Sequence, residues 1–227
     1  MAGRWSLLPA PESDATVRAS MQADLLLARH GVLTRGAVAA EDIPGGFATA
    51  YKVLTALEEA GRCQRGYFVE SLGGAQFSSS ATVDQLRGFA DPLEAGPHPP
   101  VGLVLAAADP ANPYGAALGW PSRPGADGEP GHRPGRRAGA LVVLVDGELV
   151  WFLERGGKSL LSFGAGPAAS TVASEALVAS VRDGRVGPLL VERIDGVPAL
   201  EAHRDASAAA LVDAGFARTP RGLRLRG

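Results

Sequence analysis

The sequence predicts an α+β chain: a small helical module closed by a hairpin, then a mostly antiparallel β-barrel-like module with inserted helices. Three observations carry that reading. Three helical patterns and a pair of strand patterns succeed one another between Ala15 and Phe77. Prolines at 92, 97, 99 and 100 then mark a linker. Beyond it the apolar period becomes that of strands, punctuated by Asp-Gly pairs at 146–147 and 195–196. The layout is an extended lead-in at 1–12, a first module at 13–90, a linker at 91–100 and the β module at 101–227.

In the first module Asp14 is placed to cap a helix whose residues Val17, Met21 and Leu25 share one face. Gly31 stands where that helix should end. Thr34 caps a short Ala-rich second helix, and Pro44-Gly45-Gly46 separates it from a third, Gly46 to Ala60, which Gly61 stops. On the third helix Phe47, Tyr51, Leu54 and Leu57 fall at helical spacing, leaving Thr49, Lys52 and Glu59 outward. Arg62 to Glu70 and Ala75 to Phe77 read as two strands about a Gly-Gly turn, and residues 81–90 as a further helix. Three helices and a hairpin in this order form a winged helix-turn-helix.

In the second module strands are expected over Val101–Ala106, Ala140–Val145, Leu149–Glu154 and Lys158–Phe163. A helix is expected from Thr171 to Arg182, two strands around Asp195-Gly196, a helix near 205–214 and a terminal strand at 223–226. A meander of hairpins with two helices predicts a small barrel or strongly bent sheet. The Pro-, Gly- and Arg-rich stretch from Gly119 to Gly139 reads as a disordered loop. Asp109 to Gly115 reads as a rigid turn cluster, with Tyr114 and Trp120 anchoring it by burial or offering a stacking face to a base.

Composition excludes several classes. With 22 basic against 24 acidic residues and 46% apolar residues, the chain is not a whole-surface polyanion binder, so a nucleic-acid site must be a local patch. A single cysteine, Cys63, excludes an internal disulfide and a cysteine zinc cluster. The histidines at 30, 98, 132 and 203 have no ligand spacing, and no cofactor is expected. No membrane-length apolar run or secretory pattern occurs, which predicts a cytoplasmic protein. The opening Met1-Ala2-Gly3-Arg4-Trp5 reads as chain arriving from elsewhere, hence an excised fragment. Gly156-Gly157-Lys158-Ser159 ends like a phosphate loop but lacks the upstream glycine, and GxSxG and HExxH are missing.

The candidate phosphate contacts are Arg35, Thr49, Lys52, Arg62 and Arg65 in the first module, and Arg133, Arg136, Arg137, Arg221, Arg224 and Arg226 in the second. Arginine suits this role because its planar fork donates to two oxygens together. Base reading, backbone contact and pure packing all remain open for the winged helix. The second-module arginines equally suit a charge-protected sheet edge. Gln22-Ala23-Asp24 has the Gln-x-Asp form some DNA glycosylases use, but inside an amphipathic helix it reads as coincidence.

The strings Gly3–Pro9, His30–Val38, Gly45–Ala48, Arg65–Glu70, Asp109–Leu118, Val191–Arg193 and Thr219–Arg224 carry a family resemblance. The chain resembles the extreme C-terminal part of the large helicase-related (Lhr-type) ATP-dependent DNA helicases of bacteria, especially the long actinobacterial form. Gly119 replaces the proline expected before Trp120. The resemblance implies a parent with two RecA-type motor domains, winged-helix and β-barrel modules, and a place in DNA repair. It also implies a C-terminal region separable from the motor and able to self-associate. That region is similar in arrangement to AlkZ-type DNA glycosylases, and uracil glycosylase activity is attributed to it. No catalytic residue carries over to a position here.

The resulting expectation is a non-catalytic accessory fragment of an ATP-dependent 3′-5′ DNA helicase, binding DNA through backbone phosphates and contacting upstream domains. The alternatives are a structural or homo-oligomerisation module, or part of a uracil-type glycosylase whose catalytic residue lies outside the fragment.

Overall fold

A computed structural model describes residues 6–70, 72–90, 98–123, 133–202 and 205–227. The chain forms two compact units, Met1–Gly96 and Pro97–Gly227.

Unit 1 begins with α1 (Ala15–His30), where Asp14 accepts from the backbone N–H groups of Thr16 and Val17, satisfying donors the helix leaves orphaned. Thr34 does the same for α2 (Arg35–Ala40) through Ala37 N. The third helix, α3 (Gly46–Glu59), buries Ala50, Leu54 and Leu57. A strand absent from the sequence reading, β1 (Val32–Leu33), pairs with β3 (Gln76–Ser78), which also pairs with β2 (Gln64–Gly66). The helix α4 (Ser80–Ala90) follows. Leu33, Leu54 and Phe77 are fully buried at the centre of this winged helix.

Val17, Met21 and Leu25 do share a face of α1, but that face is exposed. The packed face carries Ala23 and Leu26. Steps of four overshoot a full turn of a helix with 3.6 residues per turn and drift forwards around it, whereas a mixed step such as 19, 23, 26, 30 stays on one line. Small Ala23 also lets α1 approach α3. The wing loop is organised by Gln76, which is wholly buried. Its Oε1 accepts from Phe68 N and Val69 N at 3.0 and 2.9 Å, and its Nε2 donates to Val69 O and Gly73 O at 2.8 and 2.9 Å.

In unit 2 six strands form one sheet: β4 (Gly102–Ala106), β5 (Leu141–Val145), β6 (Glu148–Leu153), β7 (Ser159–Ser162), β9 (Arg193–Ile194) and β10 (Val197–Pro198). Their order is β10-β9-β7-β6-β5-β4, antiparallel except for the parallel β7–β9 pair. Asp146 and Asp195 take positive φ in their Asp-Gly turns, as two-residue hairpins require. A second sheet orders β11 (Ala217–Thr219), β12 (Gly222–Leu225) and β8 (Leu189–Val191).

Two helices, α5 (Gly166–Arg182) and α6 (Ala206–Asp213), join the main core, with Leu177 and Leu211 fully buried among Trp151, Leu160 and Leu223. The opposite side of the six-stranded sheet buries Val142, Leu144, Phe152 and Leu161 beneath Tyr114, Trp120 and Phe163. Gly102 admits α5, since a Cβ there would lie 2.6 Å from that of Ala176.

The barrel expectation is therefore replaced. Among the described residues of unit 2 the strands form two separate open sheets, and β4 and β10 do not pair to close the larger one. Hairpin turns and alternation are common to barrels and open sheets. Here helix packing on one sheet face and a crossing parallel pair decide for the open form. Residues 124–132, within the loop read as disordered, and 91–97, within the linker, lie outside the described residues.

Candidate nucleic-acid interface

Unit 1 has little cationic surface to offer. Residues 12–98 contain seven Lys and Arg against eleven Asp and Glu, and most of those cations are engaged within the unit. Arg62 holds Asp24 at 2.7 Å, and Arg65 holds Glu58 at 3.3 Å while its guanidinium lies over the Tyr51 and Phe77 rings. Arg29 pairs with Glu41 at 2.6 Å, Arg87 with Asp84 at 2.8 Å, and Arg18 donates to the carbonyls of Glu12 and Ser13. Glu41 also meets His30 Nε2 at 2.9 Å, and the hydrogen bond from Arg29 holds its carboxyl below the ordinary glutamate range.

Among the described residues this leaves Arg35 and Lys52 without a hydrogen-bond or ion-pair partner, both exposed. Arg35 rests over Phe47 at 5.8 Å from the ring centre. Thr49 is exposed one turn before Lys52 on α3. The carboxylate of the Gln-x-Asp string is the one that Arg62 holds, on a helix face.

Unit 2 is arranged differently. Arg136 is half-buried, and its two terminal nitrogens donate to the carbonyls of Asn112 and Asp109 at 2.6 and 3.0 Å, and less closely to those of Tyr114 and Ala108. It therefore organises the 108–114 turn together with Asn112, whose Nδ2 donates to Ala107 O. Tyr114 donates to Gly147 O, and Trp120 packs edge-on to Phe152 at 5.6 Å, so both rings serve the core. Arg123 and Ser162 both contact Asp195 in its hairpin turn.

The remaining cations face solvent. Arg133, Arg137, Arg155, Arg182, Arg218, Arg224 and Arg226 are exposed and have no carboxylate partner among the described residues. Strand alternation puts Arg224 and Arg226 on the outer face of the small sheet, opposite buried Leu223 and Leu225.

Close packing assembles a second group at the β6–β7 turn. Gly139 abuts Arg155, for a Cβ there would stand 3.0 Å from Arg155 Cγ. Gly157 packs on Leu189, and Glu192 N and Arg193 N both donate to Lys158 O at 2.8 and 3.0 Å. Gly222 presses the β11–β12 turn onto Val191, where a Cβ would fall 2.2 Å from the carbonyl oxygen. Arg137, Arg155, Lys158 and Arg221 are thus carried by turns that pack on one another or on β8, and Glu192 accepts a hydrogen bond from Arg221 and forms an ion pair with Lys158 at 3.7 Å. Sequence reasoning passed over Arg155 and Arg182 as contacts. Their signal was positional: one sits in a hairpin turn and the other in a last helical turn, both solvent-facing places.

Among the described residues no three His, Cys, Asp or Glu side chains gather as metal ligands, and no helix is long and apolar enough to cross a membrane. Cys63 is buried, which raises its thiol pKa.

Fold and charge together define a winged-helix protein with an appended α+β unit that carries the exposed arginines. Residues 12–98 match the winged-helix domain of the large helicase-related proteins. The chain is 63% identical over 230 residues, 100% of its length, to a Lhr helicase/probable uracil glycosylase of Mycolicibacterium smegmatis. It is 39% identical over 224 residues, 98% of its length, to the Lhr helicase/uracil glycosylase of Escherichia coli. The chain belongs to this Lhr-type family, and it spans 15% and 14% of the length of those two relatives.

Proposed function

We propose that this chain is a non-catalytic DNA-binding accessory segment of an Lhr-type repair helicase, acting in the cytoplasm beside an ATP-dependent 3′-5′ motor. It grips backbone phosphates without reading bases. The observation that supports this is the asymmetry of its cations: five of the seven in residues 12–98 are engaged internally, while unit 2 leaves seven exposed arginines with no hydrogen-bond or ion-pair partner among the described residues. The contact surface is therefore assigned chiefly to unit 2, with Arg35 and Lys52 as lesser contributors. Binding of this kind releases counterions and weakens steeply with salt.

A salt series of fluorescence anisotropy on a labelled duplex tests it. Replacing Arg224 and Arg226 by Ala should weaken binding alike on unrelated sequences and reduce the log–log salt slope by about two. Salt-insensitive binding, or none at millimolar DNA, would refute the proposal. The glycosylase named for both relatives is assigned to residues outside this segment, so release of uracil by this chain alone is not expected.

A packing role for unit 1 has its own support. Val17, Met21 and Leu25 are 42, 63 and 57% exposed along one stripe of α1, a surface suited to a neighbouring domain or a second copy. Light scattering should then give a mass above one chain that Met21→Asp with Leu25→Asp lowers, or the same pair should weaken attachment to upstream domains. Observation of neither effect would refute the role.

A further inference from the structure

Glu192 carries a carboxylate that two cations share. Its Oε1 accepts from Arg221 Nη2 at 3.2 Å and lies 3.7 Å from Lys158 Nζ, so one oxygen serves two cations. Those cations are more open to solvent than the carboxylate: the side chains of Arg221 and Lys158 are 71 and 62% exposed, against 30% for Glu192.

The carboxylate, by contrast, projects from a fixed backbone. Glu192 N donates to Lys158 O at 2.8 Å, and Glu192 O accepts from Ala199 N at 2.9 Å. Gly222 closes on the preceding carbonyl, at Val191. The arrangement is a carboxylate on a hydrogen-bonded backbone with two exposed cations leaning on it. Exposed ion pairs of this geometry are weak, and a densely charged polyanion competes well for both partners.

We infer that Glu192 is a built-in competitor for backbone phosphate. In the free chain it occupies Lys158 and Arg221. On DNA the two cations transfer to phosphate oxygens, and the carboxylate is left to solvent as a residual repulsion. Glu192 thereby lowers affinity and makes engagement of this corner conditional on a closely held backbone. The inference rests on the DNA-binding reading above.

Glu192→Gln in the full chain removes the charge and keeps the shape. On a labelled duplex at ~0.1 M salt it should tighten binding about three- to tenfold, the gain expected from one or two released phosphate contacts. The gain should shrink as salt is raised. Adding Lys158→Ala and Arg221→Ala to Glu192→Gln should abolish it. Glu192→Ala gives the same readout should Gln lower the melting temperature. Salt-dependent binding by the wild type with no tightening in either Glu192 variant overturns this inference alone. Absence of any salt-dependent binding by the wild type overturns the DNA reading beneath it.

Discussion

Arg136 separates a phosphate contact from a structural one, and its replacement by Ala should report on the fold rather than on DNA. Its guanidinium donates to Asn112 O at 2.6 Å and Asp109 O at 3.0 Å, with longer contacts to Tyr114 O at 3.3 Å and Ala108 O at 3.4 Å. A hydrogen bond from a charged donor contributes about 1.5–3 kcal/mol. Only the two short ones are given that weight, and the freed carbonyls of a surface turn recover part of it from water. The expected loss is about 2–4 kcal/mol. Against a total of roughly 5–15 kcal/mol for a domain, that is a large fraction. Urea unfolding followed by tryptophan emission measures it, because Trp120 covers Gly115 in the same turn and packs on Phe152. Arg136→Lys should restore little, since an ammonium cannot span carbonyls with a planar fork. DNA affinity of the folded variant should stay within about twofold of wild type, as expected for a group making no phosphate contact. An unchanged urea midpoint with clearly weakened binding would refute the assignment.

Two other perturbations follow from single contacts. Gly222→Ala places a Cβ 2.2 Å from Val191 O at a φ of +137°, and because the obstruction is backbone it should cost about 3 kcal/mol or more; a melting temperature within ~2 °C of wild type would refute this. Glu41→Gln should destabilise unit 1 at neutral pH by up to about 1 kcal/mol, since its carboxylate bonds Arg29 and His30. The folded-state pKa of Glu41 is lowered, so its contribution is present above the ordinary glutamate pKa near ~4.3 and is lost as pH falls through the lower folded value. Unfolding curves of the two proteins should therefore converge in acid; a gap that stays constant below pH ~4 would count against it.

Features set by neighbouring residues were legible in the sequence. The caps at Asp14 and Thr34 and the Asp-Gly turns depend on side chains two or three positions away, and each appears where its pattern put it. Features set by distant partners were not. Two-residue β1 has too few residues to show a period and exists because β3 pairs with it. Arg62 reads as free charge until Asp24, 38 residues earlier, is found beside it. Helix α5 starts at Gly166 rather than Thr171 because Pro167 fits a first helical turn, where its missing N–H costs nothing. The open sheet was hidden for a similar reason: the β7–β9 pairing that prevents a simple meander joins segments more than 30 residues apart.

The same distinction bears on how a winged helix should be read. Helix order and the hairpin fix the shape of unit 1, but shape alone does not make a phosphate surface; the net charge left after internal pairing does. Arg62 and Arg65 flank the wing, where phosphate contacts would be sought, yet each faces a carboxylate from a preceding helix. Moving those two cations onto DNA would strip Asp24 and Glu58 of their partners in a unit that is already acidic. Arg224 and Arg226 incur no such loss, for they leave no carboxylate behind. Lys158 and Arg221 fall between these cases, sharing one half-buried carboxylate that the packed backbone holds in place. Ranked by what each cation must abandon, the proposed DNA contact should engage the outer face of the small sheet first, the Glu192 corner second and the wing last.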